Sequence, residues 1–399
     1  MFRAATVAIL ALTLALVSSP AHRARAQSSG PPILPAVHTA MQKCIDDHEV
    51  AGSVTLVAAG DGIVHLDAVG KADLASDRPM SSDQLFWIAS MTKPITGAAV
   101  LMMQDEGKLR VDDLVEKYIP EFAGLKTAEG EPAKVTIRHL LTHTSGLAEM
   151  SGRGQGTRPV KTLAEAIPYY VNRPVAFKPG SKWVYCQSGI NTAARVVEIV
   201  SGKTFDAFCD ERIFGPLGMK DTTFYPAQEQ LARLAQSYAR NQDGTLEAAP
   251  LRMLGGPISS RERMPMANGG LFSTASDYYR FCRMLLDGGR FEGKTLLKPE
   301  TVRQMTTVQS GDVKTGFTPG NGWGIGVCVV REPRGITAML SKGTFGHGGA
   351  FGTQAWVDPK VRRIYILMVQ RANFPNSDSS PVRLAFQKAA APATSGDGQ

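Results

Sequence analysis

The sequence predicts an α+β fold: one antiparallel sheet takes strands from both ends of the chain, helices flank it, and a helical domain is inserted between the terminal strands. Three observations predict it. Runs with strand character lie at Ser53–Gly70 and again between Gly322 and Arg371. From Lys93 to about Leu286, apolar residues recur mainly at helical spacing. Strands and helices never alternate as βαβ units and no segment repeats, which argues against a dinucleotide-binding fold.

The elements follow in order. The first 26 residues read as a cleavable signal peptide: a basic start at Arg3, an uncharged apolar run from Ala4 to Val17, and a small-x-small site at Ala24-Arg25-Ala26. That run is shorter than the ~20 residues needed to span a bilayer, so no stable membrane anchor is expected and the protein is placed in the periplasm or outside the cell. After a proline-rich entry, Val37, Met41, Cys44 and Ile45 share one face of a helix. Two strands then flank Asp61-Gly62, a strong hairpin signal. The helix in "NTAARVVEIVSG" stops at Gly202. Strand patterns return in "GWGIGVCVV", "FGTQAWVDP" and "RRIYILMVQR", before a last helix in "SPVRLAFQKAAA". The expected organisation is a single unit over residues 27–390, with sheet parts at about 27–92 and 320–390, a mainly helical part at about 93–319, and a disordered tail at 391–399. Asn241–Gly270 is the least structured internal segment. A loop of that length in a compact domain points to a nearby site.

Charge excludes one class of partner. Removing Arg3, Arg23 and Arg25 with the signal lowers the net charge from +8 to +5, and no basic run is interleaved with aromatics, so nucleic acid is not an expected partner. Cys44, Cys186, Cys209, Cys282 and Cys328 are scattered and never form a CxxC pair, which suits buried apolar residues better than a disulfide framework.

The chemistry centres on "FWIASMTKPITGAAVLMM". Ser90 precedes the apolar periodicity, where a serine ordinarily caps a helix. Lys93 lies one turn further on the same face, next to Pro94, Ile95, Ala98 and Ala99, which argues for burial. A buried lysine loses its proton more readily, so its neutral amine can take the proton of a neighbouring serine hydroxyl, while the helix N-terminus favours charge developing on that oxygen. Ser90-x-x-Lys93 is the chain's single such spacing, but about one is expected by chance in a chain of this composition, so it needs company.

The company is Tyr185 in "PGSKWVYCQSGIN", His347 in "GTFGHGGAFGT", and the intervening "RHLLTHTSGL", "ERIFGPLGMKDTTF" and "NGGLFSTASDYYRF". Together these resemble the serine hydrolases related to class C β-lactamases, D,D-peptidases and family VIII carboxylesterases, over about Val37 to Arg371. The resemblance implies a β-lactamase/transpeptidase-like fold with the site in a cleft between the sheet and the helical part. It implies Ser90 as acylated nucleophile and Lys93 as its activator. Tyr185 would be the base in acylation and the acid toward the leaving group, its phenol made more acidic by the lysine. The backbone N–H groups of Ser90 and Ala350 would form the oxyanion hole, and Gln187, His347, Gly348 and Gly349 would bind substrate. No cofactor and no metal are implied.

Two positions depart from the family pattern. Gln187 stands where Tyr-x-Asn has asparagine, and His347 stands where Lys-Thr-Gly has lysine. In the β-lactamases that lysine helps hold the drug's carboxylate. A neutral imidazole there tilts the expectation to a carboxylesterase acting on small ester or acyl substrates, with slow β-lactam turnover as a secondary activity. The alternatives are a D,D-peptidase or D-amino-acid-directed peptidase acting on peptidoglycan fragments, and a non-catalytic protein that binds cell-wall fragments. The segment Ala148–Leu163 and the loop Asn241–Gly270 are expected to line the cleft. His139 and His143, at i and i+4, have a zinc-like spacing but neither a following glutamate nor a third ligand, so metal is not expected. No serine has the G-x-S-x-G setting of the α/β-hydrolases.

Overall fold

The computed structural model describes residues 1–2, 32–150 and 160–392. Nearly all of the expected signal peptide, most of the expected C-terminal tail and the middle of the Ala148–Leu163 segment therefore lie outside the described residues.

An eight-stranded antiparallel sheet organises the chain. Its strands are β1 (Gly52–Ala59), β2 (Gly62–Asp73), β3 (Arg78–Pro79), β4 (Asn321–Trp323), β5 (Cys328–Val330), β6 (Phe345–Gly348), β7 (Gln354–Asp358) and β8 (Arg363–Met368). The spatial order is β4-β5-β6-β7-β8-β1-β2-β3, so the two ends of the chain meet where β8 pairs with β1, from Val54↔Met368 to Ala59↔Arg363. The hairpin expected around Asp61-Gly62 forms, with its turn one residue earlier: Gly60-Asp61 makes the turn and Gly62 already opens β2, opposite Ala59.

Side chains alternate across this sheet with period two. Ile364, Ile366 and Met368 face one core together with Val54, Leu56, Ala355 and Val357. Tyr365, Leu367, Val57 and Trp356 face the other. The second core is covered by α1 (Pro35–Asp46), through Val37, Met41 and Cys44, and by the C-terminal helix Pro381–Ala390, through Val382 and Phe386. The first is covered by helix Ala275–Leu286 and by the helical region beyond it.

In that region, α2 (Thr92–Asp105) is buried from Thr92 through Met103, which accounts for its near-continuous apolar sequence. It packs on α5 (Gln187–Ser201), which ends on Gly202 at φ 72°, a left-handed conformation glycine adopts without a Cβ penalty. Two shorter helices, α3 (Ile137–Leu141) and α4 (Leu163–Val171), pack against α5. All five cysteines are buried and free. Among the described residues no helix is long and apolar enough to cross a membrane.

Candidate active site

Ser90 sits on a clamped turn. The chain enters through a short ribbon, Phe86↔Ser273 and Trp87↔Phe272, and turns through a 3-10 segment, Ala89–Met91, into α2. Ala89 holds φ 45°, a left-handed conformation that costs a non-glycine residue about 1–2 kcal/mol. Surrounding bonds impose it: Ile88 N donates to Leu271 O (3.0 Å), Trp87 Nε1 to Gly269 O (2.7 Å) and Thr92 Oγ1 to Ala89 O (2.7 Å). Ser90 does not cap α2. The N-cap position is Met91, no side chain caps it, and Ser90 Oγ instead accepts a hydrogen bond from Lys93 Nζ at 3.0 Å.

Lys93 is 0 % exposed. Its Nζ also donates to the main-chain carbonyl of Asn268 at 2.7 Å and lies 4.6 Å from the centre of the Tyr185 ring. Burial pulls its pKa from the ordinary lysine range down to about 7, against smaller opposing effects from Glu149, Asp378 and Cys186. Near neutrality a large fraction of Lys93 is therefore the free amine. Asn268 is itself held from two sides: its N–H donates to Asn191 Oδ1 (3.2 Å) and its Nδ2 to Gln187 Oε1 (2.9 Å).

Tyr185 reaches the same point from the loop before α5. Its ring packs on His143 (4.4 Å between centres), Phe317 (4.8 Å) and Trp323 (5.9 Å). His143 also fixes the backbone on both sides of it, because Val184 N donates to His143 O (3.0 Å) and Cys186 N to His143 Nδ1 (3.1 Å). The expected acidification of Tyr185 is not found. Burial among these rings pushes its phenol well above the usual range, a hydrogen bond with Ser90 offsets this only in part, and a lysine that is itself losing its charge cannot pull it back. Lys93, not Tyr185, is the group poised to titrate near pH 7.

Gln187 opens α5. Its side-chain oxygen is occupied by Asn268, and its backbone N–H donates to the Glu149 carboxylate. His347 on β6 is 4 % exposed, with Nδ1 2.7 Å from Gly348 O, an arrangement that puts the ring proton on Nδ1. Burial first, then Lys93, lowers its pKa to about 3, so the imidazole is neutral. Gly349 marks the close approach of β6 to the serine turn: a Cβ there would overlap Thr353 Oγ1 and stand 2.7 Å from Ile88 O.

Ser90, Tyr185, Gln187, His347, Gly348, Gly349 and Ala350 thus line one cleft of about 400 Å³, with Lys93 behind Ser90. The Asn241–Gly270 loop contributes Met253, Met266, Asn268 and Gly269 to its wall. A larger surface depression, about 790 Å³ beside Arg283 and Phe291, holds none of these residues. His139 and His143 are engaged elsewhere, His139 Nδ1 accepting from Thr136 N (3.2 Å) and His143 Nδ1 from Cys186 N. Sequence reasoning missed Asn268, Asn191, His143, Phe317 and Asp378. Asn268, Asn191 and His143 lie inside the motifs named above, whereas Phe317 and Asp378 carried no signal.

The profile of the β-lactamase family matches residues 37–390. The chain belongs to that family. Esterase EstB of Burkholderia gladioli is 29 % identical over 374 residues, 87 % of this chain and 92 % of that protein. Penicillin-binding protein 4 of Amycolatopsis lactamdurans is 29 % identical over 331 residues, 80 % of this chain and 81 % of that one. Among solved structures, EstCE1, a hydrolase with promiscuous acyltransferase activity, superposes with a TM-score of 0.78 at 25 % identity, covering 90 % of this chain and 98 % of its own. The protein is a serine hydrolase of the β-lactamase fold, in a family that holds esterases and peptidases.

Proposed function

We propose that this protein is a carboxylesterase that works through an acyl-enzyme on Ser90. The observation that carries the reading is the 3.0 Å contact between Ser90 Oγ and the fully buried Lys93. In acylation, Oγ attacks the ester carbonyl carbon, Lys93 takes the hydroxyl proton, and charge gathers on the carbonyl oxygen facing the N–H groups of Ser90 and Ala350. Collapse breaks the C–O bond. The leaving alcohol receives a proton through Tyr185, which stays neutral and so can donate, and Lys93 restores that proton. Water then repeats the sequence on the acyl-enzyme, releasing the carboxylic acid.

His347 supports an ester over a β-lactam. Where the family pattern has a cation, this chain has a neutral ring whose one proton is held by Gly348 O. A D,D-peptidase is the second reading, favoured by the similarity to a penicillin-binding protein. The wider reading takes residues 27–390 as one hydrolase unit, exported by the signal over residues 1–26, with small esters as substrates. The test is kcat/KM on p-nitrophenyl butyrate and on a chromogenic cephalosporin, with Ser90→Ala as control. Faster ester turnover that Ser90→Ala abolishes is the expected result. A cephalosporin turned over as fast as the ester overturns the argument from His347. Failure of an acylating serine probe to label Ser90 turns the reading to a binding protein.

A further inference from the structure

The cleft has a one-sided charge. Among the described residues that line it, Asp378 is the only one with an acidic or strongly basic side chain; burial raises its carboxyl above the usual carboxylate range, and Arg383, a hydrogen bond from Gln354 and Lys93 oppose that rise. The carboxylate lies against the end of β6: a Cβ on Gly348 would overlap Asp378 Oδ1 and stand 2.6 Å from Gln354 Nε2, so glycine at 348 is what lets it sit there. Its only side-chain hydrogen bond among the described residues is a long one, 3.4 Å from Gln354 Nε2. Arg383 and Lys93 stand behind the wall and act on the carboxylate through space, neither of them bonded to it. Arg383 is buried, stacks 4.2 Å from the centre of the Trp356 ring, and donates Nη1 to the Asp378 backbone carbonyl (2.7 Å). Lys93 is turned to Ser90 and Asn268. His347, beside Asp378, offers an anion no donor, its proton being directed at Gly348 O. Tyr185, Phe317 and Phe374 supply aromatic wall on the same cleft.

We propose that the half-buried carboxylate of Asp378, set among aromatic rings beside His347 and Gly348, forms a subsite for a protonated amine, so that the preferred substrates are acyl compounds carrying an ammonium group. The inference rests on the esterase reading for its chemistry but not for its binding. A carboxylate with no paired cation attracts an ammonium and repels a substrate carboxylate, and aromatic faces add to the attraction. The polarity is therefore the reverse of a site that holds a drug's carboxylate.

The test uses substrates matched in length and differing in charge: p-nitrophenyl esters of 6-aminohexanoate, heptanoate and adipate. The expected order of kcat/KM is ammonium, then neutral, then carboxylate, with about a tenfold span between the extremes at low salt. In Asp378→Asn, rates normalised to the neutral ester should converge. A wild-type span under about twofold, or a span that Asp378→Asn leaves intact, overturns the subsite, and the first of these needs no variant to fold. Calorimetry on Ser90→Ala with benzylammonium, benzyl alcohol and benzoate separates the two readings. Tighter benzylammonium binding that Asp378→Asn removes keeps the subsite even if no ester is hydrolysed. Ester turnover with no order of charge keeps the esterase and sinks the subsite.

Discussion

Lys93 Nζ donates to the main-chain carbonyl of Asn268 across 2.7 Å, bridging 175 residues of sequence. A carbonyl oxygen only accepts, so it holds one N–H of Lys93 in either protonation state and leaves another direction, a lone pair or a proton, for Ser90 Oγ. That contact orients the base.

Asn191 is the residue that sets the Asn268 carbonyl in place. It accepts the Asn268 N–H through Oδ1 (3.2 Å) and donates through Nδ2 to the Tyr170 hydroxyl (3.1 Å). Asn191→Leu removes both bonds and touches neither Ser90 nor Lys93. Steady-state kinetics on a p-nitrophenyl ester should show kcat lowered about tenfold with little change in KM, since a small misplacement of a catalytic group costs rate more than binding. An equal loss in both parameters would point to a general collapse of the site instead.

The pH–rate profile follows from Lys93. With its pKa near 7, kcat/KM should climb through about pH 7 and level off above it, because only the free amine accepts the serine proton. A titration of rate from pH 5 to 9 checks this. If the limb instead centres near 10, Lys93 keeps its ordinary pKa and is not poised as a base at neutral pH.

Stability carries the same signature with a definite sign. Between about 7 and the ordinary lysine value of 10.5, the unfolded chain binds the Lys93 proton and the folded protein does not. Unfolding free energy should therefore rise with pH across that window, relative to Lys93→Met. Below pH 7 both states hold the proton and the full cost of burying the charge remains, so Lys93→Met should be the more stable protein there, though its ester activity falls about 100- to 10,000-fold. Denaturant melts of both proteins at several pH values decide it.

Gly349→Ala tests the join between β6 and the serine turn. Its methyl would meet Thr353 Oγ1 and Ile88 O, so either Ala350 or the turn must shift. Overpacking of this kind costs about 1–3 kcal/mol. Displacing one oxyanion donor costs about 100- to 1,000-fold in kcat. Thermal melts and ester kinetics together should show both losses, and a variant with wild-type kcat would remove Ala350 from the oxyanion hole.

Much of this was legible because it is local. The Ser90–Lys93 spacing, the hairpin around Asp61-Gly62 and the stop at Gly202 each follow from neighbours within a few residues. The burial of Lys93 could be inferred from Ile95, Ala98 and Ala99 around it. What stayed hidden depends on segments far apart in sequence. Nothing near Asn268 says that its carbonyl meets Lys93, and nothing near Asp378 says that it lies against Gly348. The Tyr185 phenol was misread for the same reason: the rings of His143, Phe317 and Trp323 that desolvate it come from three separate loops and strands. The ordinary capping role of a serine at this position is not the one Ser90 takes: α2 begins two residues later and the hydroxyl is bound by Lys93 instead.

The pairing of β1 with β8 also governs when the protein can exist at all. Val54 meets Met368 near the middle of the sheet, so that seam can close only once residues 363–368 have been made. Until then β1 has a bare edge where β8 belongs. A chain that stops before residue 363 lacks β8 and is left with a sheet cut in two rather than a shortened enzyme.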